Sequence, residues 1–164
     1  MAEFHVEQRE PLRVIGASVE VTLDTIGERV GEVFDDVEAR LRDAHVDVTG
    51  AGLLRYTTVS RHETFVVDVA FEVPVETAVP PGLRAHTLPG GLYAVARQYG
   101  AYSWIGGLTK ELMDWGDHQG LDYAMVPSPA GDAWESWFEA YPDPPIMGPE
   151  GLEGPVEIGL KLAD

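Results

Sequence analysis

Apolar residues recur at three- and four-residue intervals in two stretches of the chain, and such spacing predicts amphipathic helices. The first stretch covers residues 25–45, and its apolar stripe consists of Ile26, Val30, Val33, Phe34, Val37 and Leu41. Thr25 and Glu28 match a capping box, which favours a helix start there. The second stretch covers residues 103–115, and its stripe consists of Ile105, Leu108, Leu112 and Trp115.

Segments rich in β-branched and aromatic residues flank both helices and predict strands. The predicted strands are residues 11–23, 53–60, 64–73, 91–100, 137–141 and 156–162. Residues 74–90 are rich in proline and glycine and have no period, so they divide the chain. The sequence therefore predicts an α+β fold in which a strand-helix-strand-strand module occurs twice. The modules cover about residues 4–75 and about residues 88–164 of a single domain, residues 1–164.

The charge of the chain excludes some classes of partner. The 164 residues carry a formal net charge of −17, which repels phosphate backbones, so we expect no nucleic-acid partner. The acidity would attract cations, although in most acidic proteins it only maintains solubility. The chain has no apolar run of about 18 residues and no signal peptide at its N-terminus, so we expect a cytoplasmic protein with no membrane partner.

Few residues suit metal binding or covalent catalysis. The chain has no cysteine, and its five histidines are scattered without ligand-like spacing. We therefore expect no metal and no cofactor. A serine-histidine-acid set is not visible either.

The predicted strand at residues 137–141 places a carboxylate between two large aromatic side chains. Alternation puts Trp137, Glu139 and Tyr141 on one face and Phe138 and Ala140 on the other, which suits packing on a helix. A carboxylate withdrawn from water has a raised pKa or requires a cationic partner. Because aromatic faces attract cations and stack on planar molecules, this face indicates a site for flat or cationic compounds.

Three further aromatic residues are candidates for the same site. Trp134 lies just before that strand, Trp104 lies at the start of the second helix, and Tyr56 lies on a strand of the first half. The predicted ligand-binding set is Glu139, Tyr141, Trp137, Trp134, Trp104 and Tyr56. The alternatives are core packing for Trp134 and Trp137 and an exposed strand carboxylate for Glu139.

Several segments together resemble one known family. Residues 88–108, LPGGLYAVARQYGAYSWIGGL, resemble the part of the GyrI-like small-molecule-binding domain in which an LPAG-x-YAV strand leads through H-x-GPY into a helix. Residues 138–144, FEAYPDP, are similar to the family's fEvYlnDP segment, and residues 156–162 to its closing strand. This family is also called the effector-binding domain of multidrug-responsive regulators. The resemblance implies a pseudo-twofold arrangement of the two modules, with a ligand in the central cleft.

The resemblance also assigns individual residues. It places the family's ligand-facing glutamate at Glu139 and the aromatic residue two positions later at Tyr141. The chain departs from the family at Gln98, where a histidine is common, and at residues 100–102, where GAY replaces GPY. These departures concern the shape of the pocket.

Three functions remain open from the sequence. The first is a stand-alone protein that captures planar aromatic or cationic xenobiotics and thereby sequesters them or confers resistance; we expect a stand-alone form because only a few residues precede the first strand. The second is a hydrolase that opens the cyclopropane of DNA-alkylating natural products, as a subfamily of GyrI-like proteins does. Its catalytic residues would be Glu139, which would orient or deprotonate a water, and Tyr141, which would donate a hydrogen bond to the ligand's carbonyl. The third is an inhibitor of a protein partner such as DNA gyrase, acting through the acidic surface.

Overall fold

Strands dominate the structure, a computed structural model that describes residues 2–50, 52–60 and 62–164. In these ranges the strands are β1 (Glu3–Arg9), β2 (Leu12–Val21), β3 (Gly52–Val59), β4 (Phe65–Glu72), β5 (Arg84–Leu88), β6 (Gly91–Ala101), β7 (Met125–Ser128), β8 (Gly131–Tyr141), β9 (Ile146–Gly148) and β10 (Gly151–Lys161). The helices are α1 (Ile26–Asp43) and α2 (Ile105–His118), and one turn of 3-10 helix, Tyr102–Trp104, precedes α2. Neither α-helix has the length and apolar character needed to cross a membrane.

All ten strands belong to one antiparallel sheet. The order is β1-β6-β10-β8-β3-β4-β2-β5, with β7 paired to β8 and β9 paired to β10. The predicted fold class, two strand-helix-strand-strand modules around a pseudo-twofold cleft, is wrong: half of the chain is strand and 22% is helix, and the sheet forms a curled half-barrel. β3 pairs directly with β8, so the sheet continues through the middle of the fold.

The curl of the sheet follows from one short connection. β5 lies at one end of the sheet and β6 lies next to the other end, but only Pro89 and Gly90 join them. Because two linking residues span about 10 Å, the ends of the sheet approach each other. The inner surface of the curl holds a core without helices, made of Val14, Leu53, Ala70, Leu88, Tyr93, Val95, Phe138 and Ala140.

Both predicted helices are confirmed, but the predicted capping box of α1 is wrong. The Thr25 side chain makes no capping hydrogen bond to α1. Its Oγ1 instead accepts a 2.9 Å hydrogen bond from the backbone N–H of Thr22 in the preceding turn. The stripe of α1 is anchored by Val37 and Leu41, which are fully buried.

Strands also form within residues 74–90, which the sequence predicts to be irregular, and between residues 141 and 156, where it predicts no strand. β5 lies within residues 74–90, and β9 lies in the connection after Tyr141 and pairs with the start of β10. Both strands are at most five residues long, and only Leu88 among them is buried. Their period is therefore too short to be recognised in the sequence.

Candidate functional site

Glu139 lies at the centre of the sheet. It is the third residue from the end of β8 and faces Leu54 of β3 on one side and Ile158 of β10 on the other. Only 6% of its surface is exposed. A carboxyl group is therefore buried where the strands of the two halves of the chain meet.

The helices cover the face of the sheet that carries Glu139, so the prediction that Phe138 and Ala140 pack on a helix is wrong. Trp137 belongs to the same core cluster as Leu108 of α2, and Tyr141 contacts Phe34 of α1. Phe138 and Ala140 lie inside the curl. Alternation correctly groups the residues of each face, but the sheet buries both faces, and only one of them with helices.

Two phenols hold the carboxyl group of Glu139. The hydroxyl of Tyr56 donates to Glu139 Oε1 at 2.9 Å, and the hydroxyl of Tyr141 donates to Oε2 at 3.0 Å. Among the residues that the structure describes, no lysine, arginine or histidine forms an ion pair with Glu139. The carboxyl group is thus hydrogen-bonded but not neutralised by a cation.

Burial dominates the protonation of this cluster. Desolvation raises the pKa of Glu139 to about 7, and the hydrogen bonds from Tyr56 and Tyr141 act in the opposite direction. Desolvation and the charge of Glu139 raise the pKa of both phenols well above the ordinary value. Near neutral pH the carboxyl group therefore exists in both protonation states, while the phenols remain donors.

Aromatic rings pack against both of the phenols that hold the carboxyl group. The Trp137 ring stacks on Tyr56 with a centroid distance of 4.4 Å, and Trp134 meets Trp137 edge-on at 5.4 Å. Phe34 meets Tyr141 edge-on at 5.8 Å, and Tyr102 lies 5.2 Å from the same ring. We call the six residues Phe34, Tyr56, Tyr102, Trp134, Trp137 and Tyr141 the aromatic cluster.

The structure brings together five of the six residues predicted for ligand binding. Tyr56 and Tyr141 bond to Glu139, Trp137 stacks on Tyr56, and Trp134 packs on Trp137. Trp104 lies apart from these residues. The Trp104 side chain is 48% exposed and packs over Gly100, where a Cβ would be 2.6 Å from the indole. Phe34 and Tyr102 are not among the predicted site residues, although Phe34 is on the stripe of α1 and Tyr102 is in the family-like segment.

The aromatic cluster is closely packed. A gap of about 10 Å³ lies between α2 and the sheet, lined by Gln98, Gly100, Ala101, Trp104, Ile105, Leu108 and Val156. Larger open clefts of about 380 and 350 Å³ lie elsewhere, and neither is lined by a residue of the cluster. A planar ligand would therefore reach Glu139 only if aromatic side chains moved.

Two buried donors of the aromatic cluster have no acceptor among the described residues. They are the indole Nε1 of Trp137 and the phenol oxygen of Tyr102. Most buried polar side-chain atoms in proteins have a partner, so these two require an explanation. As for metals, no three histidine or acidic side chains of the described residues converge on one point.

Comparison with protein families gives one match over most of the chain. The profile of the GyrI-like small molecule binding domain matches residues 2–130. None of the curated proteins matches significantly.

Several solved protein structures share this fold. The C-terminal domain of EcmrR aligns with a TM-score of 0.69 and 13% identity, covering 100% of this chain and 99% of that one. SAV2435, solved with bound tetraphenylphosphonium, aligns with a TM-score of 0.60 and 15% identity, covering 98% and 94%. A hydrolase from Listeria innocua aligns with a TM-score of 0.62 and 11% identity, covering 98% and 92%. At these identities the likeness concerns the fold alone.

Proposed function

The chain belongs to the GyrI-like small-molecule-binding domain family, and on this premise we propose that it captures planar aromatic or cationic compounds at Glu139. By holding such compounds, the protein lowers their free concentration, which gives sequestration of, or resistance to, toxic compounds. The acidic side chain and the aromatic cluster supply all the groups that this function needs.

One observation carries the proposal: Glu139 is buried in the sheet with phenols as its hydrogen-bond partners, and no cationic side chain of the described residues pairs with it. A buried charge without a counterion is costly, because desolvation is not repaid. A cationic ligand would provide the missing charge. The surrounding rings would add about 0.5–2 kcal/mol for each favourable cation–π contact.

The stacked pair Tyr56 and Trp137 suggests how a planar ligand is accommodated. Their centroids are 4.4 Å apart, so a ring system that separates them would exchange one stacking contact for two. The ligand would then lie beside the Glu139 carboxyl group, because the Tyr56 hydroxyl contacts that group directly. Ring movement thus costs little of the stacking energy.

A protein of the same fold supports the ligand class. SAV2435 was solved with tetraphenylphosphonium, a cation that carries four aromatic rings. At 15% identity this likeness supports the ligand class of the proposal and transfers no binding site residue by residue.

The test is a titration of tryptophan fluorescence with N-methylacridinium, a planar permanent cation. We expect saturable quenching that the substitution Glu139→Gln weakens at least tenfold at pH 8. Glu28→Gln is the matched control, because it removes the same charge from an exposed position on α1. Equal losses in both variants would attribute binding to the net charge and contradict the proposal.

Hydrolysis is a second candidate, favoured by the raised pKa of Glu139, about 7, which suits a general acid or base near neutral pH. A hydrolase with this fold is known from Listeria innocua. In this function Glu139 would orient or deprotonate a water that opens a strained cyclopropane, and Tyr141 would stabilise the developing oxyanion.

Incubation with a cyclopropane-bearing alkylator and mass analysis distinguishes the two functions. Only hydrolysis adds one water to the compound in more than stoichiometric amount, and Glu139→Gln and Tyr141→Phe should abolish it.

A further inference from the structure

The indole nitrogen of Trp137 is a buried donor without an acceptor among the described residues. The nitrogen atom is itself buried and the whole residue is only 9% exposed, so bulk water does not replace the missing partner. A buried N–H that lacks a partner destabilises the folded state, because desolvation is not compensated. The ligand-free protein therefore holds an unused hydrogen-bond donor inside the aromatic cluster.

The residue that carries this donor lies close to Glu139 on the same strand. Trp137 and Glu139 are two residues apart on β8 and point to the same face, so their backbones are roughly 7 Å apart. The Trp137 ring also stacks on Tyr56, whose hydroxyl holds the carboxyl group. The unused donor and the hydroxyl that holds the carboxyl group thus belong to the two rings of one stacked pair.

We propose that the Trp137 indole N–H donates a hydrogen bond to an acceptor atom of the captured compound. This inference rests on the function proposed above and narrows its ligand class. The preferred compounds are planar ring systems that carry a carbonyl or similar oxygen a short distance from their positive centre. Glu139 binds the positive centre of the compound, and Trp137 binds its acceptor atom.

Two probes separate these contributions. N-methylacridinium carries the charge and has no acceptor, whereas N-methylacridone is neutral and has the same three rings and N-methyl group with a ring carbonyl. We expect Trp137→Phe to weaken N-methylacridone about five- to tenfold more than N-methylacridinium. Glu139→Gln should do the reverse. The loss of ring area in Trp137→Phe weakens the binding of both probes and cancels in the ratio of their dissociation constants.

Trp115→Phe is the matched control for this substitution. It removes an indole N–H from a tryptophan on α2 that stacks on Phe4 and is outside the aromatic cluster. We expect it to leave the ratio of the two affinities unchanged. A similar change of ratio in this variant would contradict a specific role for Trp137.

A second measurement does not depend on the stability of the Trp137 variant. The chain has four tryptophans, so an ¹⁵N–¹H spectrum contains four indole signals. The Trp137 signal can be assigned by elimination from single substitutions of the other three. N-methylacridone should move this proton downfield, as a new hydrogen bond does, and N-methylacridinium should not.

The outcomes distinguish this inference from the proposed function. If N-methylacridone does not bind, or binds without moving the Trp137 signal downfield, the inference is overturned. Equal weakening of both probes by Trp137→Phe overturns it as well. If instead N-methylacridinium binds without dependence on Glu139 while the Trp137 signal responds to N-methylacridone, the role of Trp137 stands and the cation site fails.

Discussion

Tyr56 and Glu139 are 83 residues apart in the chain, and the Tyr56 hydroxyl donates a 2.9 Å hydrogen bond to Glu139 Oε1. The pairing of β3 with β8 makes this contact possible. Neither residue alone forms the site, because the phenol supplies the hydrogen bond and β8 supplies the buried carboxyl group. The relationship leads to predictions about protonation, binding and stability.

The stability of the protein should depend on pH through Glu139. Its pKa is about 7 in the folded protein and close to the ordinary 4.5 in the unfolded chain, so the folded state holds the extra proton between these values. The free energy of unfolding should therefore fall as pH rises from 4.5 to 7, by roughly 3 kcal/mol. Urea unfolding at pH 5 and pH 8 measures this fall. It should be absent in Glu139→Gln, and an identical fall in that variant would contradict the assignment.

Binding of a permanent cation should become tighter as pH rises. The carboxyl group is mostly protonated at pH 6 and mostly ionised at pH 8, so the affinity for N-methylacridinium should increase about tenfold over this range. Binding should also release a proton near pH 6.5, which isothermal titration in buffers of different ionisation enthalpy detects. An affinity that is constant across this range would exclude Glu139 as the counterion.

Removing one phenol should shift the pH dependence upward. The Tyr141 hydroxyl lowers the pKa of Glu139 through its hydrogen bond, so Tyr141→Phe should raise the midpoint of cation binding above 7. The ring contacts with Phe34 and Tyr102 remain in this variant. We expect weaker binding at pH 7 that recovers at pH 9. Tyr123→Phe, which removes a hydroxyl bonded to the α2 backbone, should leave the midpoint unchanged.

A second carboxylate should act in the opposite direction in acid. Burial alone would raise the pKa of Glu7, but hydrogen bonds from His5, Arg97 and Arg9 outweigh it and lower the pKa to about 2. The contribution of Glu7 to stability is therefore present above pH 4.5 and lost as pH falls through about 2. In acid titrations followed by circular dichroism, Glu7→Gln should lose less stability than the wild type over this range. Parallel curves would show that the ion pairs on β1 do not contribute.

Two glycine substitutions should have opposite effects on stability. A Cβ at Gly16 would overlap the carbonyl oxygen of Val69 on β4, a backbone atom that cannot rotate away. Gly16→Ala should therefore destabilise the protein by about 1–3 kcal/mol or more. Gly27→Ala is the control, because a Cβ there meets no atom and alanine favours a helix by about 0.5–1 kcal/mol. Thermal unfolding should lower the Tm in the first variant and raise it in the second.

The helices, the longer strands and the face of Glu139 could be predicted from the sequence, because each rests on a periodic pattern of several residues. Helix α1 and the grouping of Trp137, Glu139 and Tyr141 depend on local spacing alone. The aromatic contact between Tyr56 and Trp137 could not be predicted in this way, because it depends on which strands become neighbours.

The architecture could not be predicted because it depends on long-range pairing. Nothing local indicates that β3 pairs with β8 or that Pro89 and Gly90 bring the ends of the sheet together. The edge strand β1 has no buried residue and has a polar composition, so in the sequence it resembles a loop. The face covered by helices also depends on the long-range architecture. Phe138 and Ala140 are as apolar as a helix-packed surface, so the sequence predicts a helix there, whereas they lie inside the curl.

The pairing of β3 with β8 also has a kinetic consequence. These strands are distant in sequence, so closing the chain between them costs more entropy than forming a local hairpin, and such pairings slow folding. Tyr56 and Trp137 occupy the same register position of that pair. The fluorescence of the stacked Trp137 therefore reports when the two halves of the sheet join. An intermediate in which each half has folded separately would contain every residue of the site, but it would not yet be able to hold a ligand.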